Sequence, residues 1–267
     1  MTLPPPEPLS LLEPEPRRRP TPFLELLLFA FLAISLYIAV QVAAVTLIMV
    51  QARQQQPGVP WDELNRQVTE RLQYSVSFLV PVQIIYYVLL LVVLWLLICR
   101  LRGESFNSGL AFHAFPAKYI GLGVLGGLLF APLIQFANLL VPPPEPLLFD
   151  KLFTSQTAVL MLLSLAVLVA PLMEELIFRG YLYGLLQRLW GENAAVLLSG
   201  FLFGAIHFYQ LSPGYFQMVL ICVVGIAFSA VRARTGTVVA AIAVHFGYNL
   251  ALSLLYFLSP HFRNLPP

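Results

Sequence analysis

Residues 158–173 read AVLMLLSLAVLVAPLM, an uncharged run, and residues 174–179 read EELIFR. Charged groups make up only 10% of the chain, yet two carboxylates stand side by side where this apolar run ends. Holding one such group in hydrocarbon costs about 2.5–3.5 kcal/mol even on lenient insertion scales. A glutamate pair at that position therefore marks a functional site rather than a solvated face. Two further stretches supply partners for it: Phe203-Gly204-Ala205-Ile206-His207 and His245-Phe246-Gly247-Tyr248-Asn249.

Outward from this point the chain stays apolar, with a mean hydropathy of +0.81 and 59% hydrophobic residues. The predicted spans cover 23–50, 76–99, 119–141, 158–173 (continuing to 189), 194–207, 217–231 and 238–258. A crossing needs about 20 residues; with the fourth extended, 194–207 is the shortest segment unless it continues towards Leu211, and 217–231 is the next shortest. The expected fold is an all-α, polytopic transmembrane helix bundle of about seven spans, or eight if the long first segment is broken.

Basic residues in the loops set the expected orientation. With a cytoplasmic N-terminus and seven spans, the inner side carries Arg17, Arg18, Arg19, Arg100, Arg102, Lys118, Arg188, Arg232 and Arg234. The outer side carries Arg53, Arg66, Arg71, Lys151 and Arg263. The bias of 9 against 5 predicts a multi-pass protein of the cell membrane with its N-terminus inside and its C-terminus outside. A net charge of +2 with no further basic patch gives no sign of nucleic-acid binding. Cys99 and Cys222 fall in or at the end of spans and read as buried small hydrophobes. The first apolar run is too long for a cleavable signal and follows a Pro-rich leader.

Three units follow: a disordered, Pro-rich cytoplasmic tail over 1–22, N-terminal transmembrane helices over 23–141, and a C-terminal core over 155–258. Between the first two spans, Leu64, Val68 and Leu72 form a helical stripe, so a short surface helix is expected there. The stretch 106–115 reads as a short, semi-polar connector. Pro142, Pro143 and Pro144 end the third span. Gly123 with Gly127, and Gly200 with Gly204, stand four apart and let neighbouring helices approach closely. No internal duplication of the kind found in inverted-repeat transporters is visible.

On a helix, Glu174 and Glu175 diverge by about 100° and cannot serve one point equally. Glu175 precedes Arg179 by four residues, the favoured order for an in-helix ion pair. Glu174 is left as the carboxylate without a local charge partner, suited to general acid–base work. His207 follows Phe203 by one turn, so the aromatic ring can stack below the imidazole. His245 and Asn249 share a face, as two donors able to stabilise an oxyanion. At about 1.5 Å per residue, depth counts from the cytoplasmic ends put Glu174, His207, His245 and Asn249 in one mid-membrane layer. His113 and His261 fall in connectors.

Glu-Glu-x-x-x-Arg, Phe-x-x-x-His and His-x-x-x-Asn, in this order on three separate helices, resemble the CPBP family of intramembrane proteases (also called Abi, CAAX-protease or Rce1-like). The resemblance covers about residues 155–257, while the first three spans carry no such motif. It implies an intramembrane glutamic endopeptidase without a cofactor. In that reading Glu174 activates water with help from His207, His245 and Asn249 form the oxyanion site, and Glu175 and Arg179 support the core. The implied partners are the lipid bilayer and a membrane-associated peptide or protein substrate, of which a prenylated CAAX sequence is one class. Two other readings fit the same residues. Glu174, His207 and His245 are acceptable zinc ligands for a metalloprotease, and buried Glu, His and Arg also build proton relays in transporters or hold together a membrane scaffold.

Overall fold

A computed structural model describes residues 21–266. The tail expected over 1–22 lies outside the described residues except for its last two, which start a helix. Thr21 caps it and Pro22, with φ already suited to a helix, takes its first position. This helix, α1 (Pro22–Gln55), runs unbroken, so the first apolar segment makes one crossing rather than two. The predicted surface helix forms as α2 (Trp61–Gln73), with Leu64 and Val68 buried and Leu72 half-buried. Arg66 on its exposed face bridges Glu63 at 2.8 Å and Glu70 at 3.1 Å. The Gln67 amide, and then the Arg66 charge, hold the Glu63 carboxyl below its ordinary range.

Five more long helices follow among the described residues: α3 (Val76–Arg102), α4 (Ala117–Leu140), α5 (Gln156–Ala205), α6 (Tyr215–Thr235) and α7 (Val238–Leu258). No strand occurs among the described residues. The all-α, multi-pass expectation is borne out, with six helices long and apolar enough to cross a membrane. The difference from about seven spans lies in α5. Its 50 residues are two helices joined at Gly191, which sits at φ 81° and ψ 176° and is not helical backbone. The chain reverses there, and Ser199 Oγ on the second leg donates to the Phe178 carbonyl on the first at 2.9 Å. The two legs correspond to the fourth and fifth predicted spans.

Three stretches wind as π-helix: Leu96–Arg102 at the end of α3, and Leu165–Val169 and Leu176–Leu182 within α5. Such turns loosen the backbone ladder and leave carbonyls able to take outside donors. The α5 examples do so. Ala166 O accepts from Asn249, Phe178 O from Ser199, and Arg179 O from Arg232.

The helices pack by backbone approach where glycines allow it. A Cβ on Gly247 of α7 would collide with the Val124 carbonyl of α4, and one on Gly127 with the Val244 carbonyl. A Cβ on Gly200 would lie 2.5 Å from Ile226 N, so the second leg of α5 presses directly on α6. The close approaches expected from both glycine pairs are present. Phe31, Leu129 and Leu139 stay exposed, the faces that lipid covers in a membrane. Cys99 and Cys222 are half-buried rather than buried, and Cys222 Sγ lies over Gly204.

Arg102 and Arg188, read from sequence as topology signals, belong to a charge cluster at the start of α1. Glu25, 1% exposed, accepts from Tyr181 OH at 2.7 Å, from Arg188 at 3.3 Å and from Arg102 Nε. The Arg102 guanidinium also lies 4.6 Å over the Tyr181 ring. A buried carboxylate with three donors is well compensated, and it fastens α1 to α3 and α5.

Candidate active site

The glutamate pair ends a short α-helical stretch, Ala170–Glu175, just before the π turn Leu176–Leu182. Arg179 lies within that turn and is completely buried. All three of its nitrogens are used. Nη1 donates to Glu175 Oε1 at 2.8 Å, Nη2 to Gly225 O at 2.6 Å and Nε to Ser229 Oγ at 3.2 Å. Its charge also sits 4.5 Å from the centre of the Phe203 ring. The in-helix pair expected from spacing is present, and α6 supplies the acceptors that complete the guanidinium's hydrogen bonds.

Glu175 serves a second partner. His245 Nδ1 donates to Glu175 Oε1 at 2.9 Å, which turns Nε2 of the same ring toward Glu174. The separation from His245 Nε2 to Glu174 Oε2 is 3.9 Å, longer than a hydrogen bond and suited to a bridging oxygen. Glu175 Oε2 is buried with no hydrogen-bond partner. With both glutamates ionised and Arg179 charged, the group is electrically neutral when His245 is an imidazolium.

Glu174, read from sequence as the carboxylate without a local charge partner, takes a neutral donor from another helix. Tyr87 OH on α3 donates to its Oε1 at 3.1 Å. One carboxylate oxygen is thus held by the phenol and the other faces His245.

His207 lies just past the end of α5, in a tight turn where its N–H bonds to Gly204 O at 3.0 Å, rather than within a helix as expected. Its Nδ1 donates to Phe203 O at 2.8 Å, because a carbonyl can only accept. In the neutral ring that leaves Nε2 as a free acceptor. The Phe203 ring is 4.9 Å from the His207 ring at a tilt of 47°, so the expected contact forms without parallel stacking. Phe203 also meets the His245 ring at 5.7 Å, and Phe228 meets it at 4.8 Å. Among the described residues His207 makes no hydrogen bond to Glu174.

Asn249 lies one turn beyond His245 on α7, and its Nδ2 donates to Ala166 O at 2.7 Å. One N–H of the amide is engaged and the other is available. The structure therefore brings Glu174, Glu175, Arg179 and His245 into one connected group. It attaches His207 through Phe203 and Asn249 through the α5 backbone. Among the described residues no three His, Cys, Asp or Glu side chains converge as a metal-binding group, so the zinc set Glu174, His207 and His245 is not assembled.

Sequence reasoning missed Tyr87, Ser229, Phe228 and the receiving carbonyls of Gly225 and Ala166. Only Tyr87 left a trace, as one of two adjacent tyrosines in an otherwise aliphatic stretch of α3.

No curated protein and no solved structure matches the chain. The family model described as Type II CAAX prenyl endopeptidase Rce1-like matches residues 155–251, the segment that holds all seven motif residues, and the resemblance read from those motifs is borne out there.

Proposed function

We propose that this chain is an intramembrane endopeptidase whose hydrolytic water is activated by Glu174. The Rce1-like match implies protease activity of the CAAX type, and six membrane-capable helices place it in a bilayer. The observation that carries the finer reading is the unequal treatment of the two glutamates. Glu175 is shared between Arg179 and His245, whereas among the described residues Glu174 keeps one oxygen beyond hydrogen-bond reach of any side chain and facing an imidazole. A carboxylate oxygen in that position can take a proton from water.

In this reading Glu174 removes a proton from water with help from His207 Nε2, and the new hydroxide attacks the scissile carbonyl. The free N–H of Asn249 and Nε2–H of His245 take up the negative charge that develops on the carbonyl oxygen. The proton held by Glu174 then passes to the departing amine, which completes hydrolysis. Glu175 and Arg179 hold His245 and the π turn in place. We assign this chemistry to a core over 155–258 working without a metal, on a membrane-associated peptide or protein. A prenylated CAAX peptide is the first class to try.

The test compares membrane-protein termini across the proteome between cells carrying the native chain and a Glu174→Gln variant. The amide keeps the shape and removes the basic oxygen, so product termini should vanish while expression and insertion stay normal. Retention of most termini would remove Glu174 from the base role.

A further inference from the structure

We infer that Tyr87, on α3 and outside the matched segment, is a positioning residue that fixes the plane of the Glu174 carboxylate, so that the oxygen it does not bind faces His245 as the base. The inference rests on the base role proposed above. Tyr87 is buried in the same core as Leu90, Met173, Tyr181 and Phe203, so its ring is fixed by packing before its hydroxyl does anything. Its hydroxyl donates to Glu174 Oε1 at 3.1 Å. An ionised carboxylate can only accept, so the phenol must be the donor here.

The terminal torsion of a glutamate is broad, so a carboxylate without a tie turns its plane freely. The tie at one oxygen sets that plane and with it the direction in which the other oxygen points. Oε2 then faces His245 Nε2 across 3.9 Å, a span that a water oxygen can bridge to both groups. Glu175 needs no such aid, because Arg179 and His245 already fix it at 2.8 and 2.9 Å. The two adjacent carboxylates are therefore oriented by different parts of the chain. Glu175 is held from within the Rce1-like segment, and Glu174 from a helix that precedes it by 87 residues.

The alternative is that Glu174 merely satisfies a buried phenol. The two roles separate in Tyr87→Phe, which keeps the ring and removes the hydroxyl. Purified full-length protein is assayed on an internally quenched peptide carrying a farnesylated cysteine followed by three residues, with Glu174→Gln run beside it. Positioning predicts a fall in kcat of about ten- to a hundredfold, the range for losing a hydrogen bond to a charged group. KM and the thermal midpoint should stay within error of the native protein. Isotope-edited infrared difference spectra between native and Glu174→Gln protein isolate the Glu174 carboxylate band, which should move in Tyr87→Phe.

Native kcat in Tyr87→Phe beside an inactive Glu174→Gln overturns the inference and leaves the proposed function standing. A raised KM or a lowered midpoint in place of the kcat effect assigns Tyr87 to packing and also overturns it. If Glu174→Gln stays active, or native protein does not cleave the peptide, the infrared band decides alone, and an unmoved band overturns the tie.

Discussion

His245 is bound to Glu175, not to Glu174: its Nδ1 lies 2.9 Å from Glu175 Oε1, while its Nε2 stops 3.9 Å short of Glu174 Oε2. The second glutamate thus orients the ring that faces the first. Glu175, Arg179 and His245 form a bonded unit, and Glu174, to which we assign the base role, stands outside it.

That division predicts different failures. Arg179→Ala should destabilise the protein by about 3–5 kcal/mol, because it strands a buried carboxylate, and detergent-solubilised yield should fall with it. Glu175→Gln should lose both yield and activity, since its amide binds Arg179 and His245 less strongly. Glu174→Gln should lose activity alone. Thermal unfolding of the three variants side by side checks this, and equal destabilisation in all three would refute the division.

Asn249→Ala removes both the contact to Ala166 O and the free N–H. Turnover should fall by roughly 10²–10³-fold with little change in KM, the usual effect of losing one oxyanion donor. The lost contact to the carbonyl should cost about 1 kcal/mol of stability. Steady-state kinetics beside a melting curve separates the two effects.

Exhaustive chelation should leave activity intact, and metal analysis of purified protein should find no stoichiometric zinc. The physical ground is that Glu174, His207 and His245 do not converge as a metal-binding group among the described residues, and Asn249 is a poor zinc ligand. Activity lost to chelator and restored by added zinc would favour the metalloprotease reading.

Orientation is tested by fusion. A cytoplasm-active reporter placed after Arg102 or after Arg234 should be active, and one placed at Leu148 should not. The reverse pattern would turn the site toward the other face and move the charge cluster around Glu25 with it.

The spans were legible because apolar length is a local property that sequence states directly. The Glu175–Arg179 pair was legible for a similar reason, since four residues on a helix fix a separation. Contacts that cross between helices were not. Nothing about the spacing of Glu25 announces Arg102, Tyr181 and Arg188, and its position at the edge of a polar tail reads as a solvated flank. His207 was displaced from its expected helix because α5 stops at Ala205, two residues early, and a tight turn follows. The π turns left no sequence signature either, yet they receive Asn249, Ser199 and Arg232.

The reversal at Gly191 has a bearing on how hydrolysis is supplied. From 192 to 205 the second leg of α5 rises only about 21 Å, against a hydrocarbon thickness of ~30 Å. The turn that carries His207 therefore begins below the far surface of the lipid, where non-helical backbone persists only against protein or in a hydrated hollow. Tyr209 in this turn is 74% exposed, so protein does not fully cover it. On the function we propose, a helix that ends early at His207 gives the bilayer a wet indentation there, and the water for hydrolysis arrives through it.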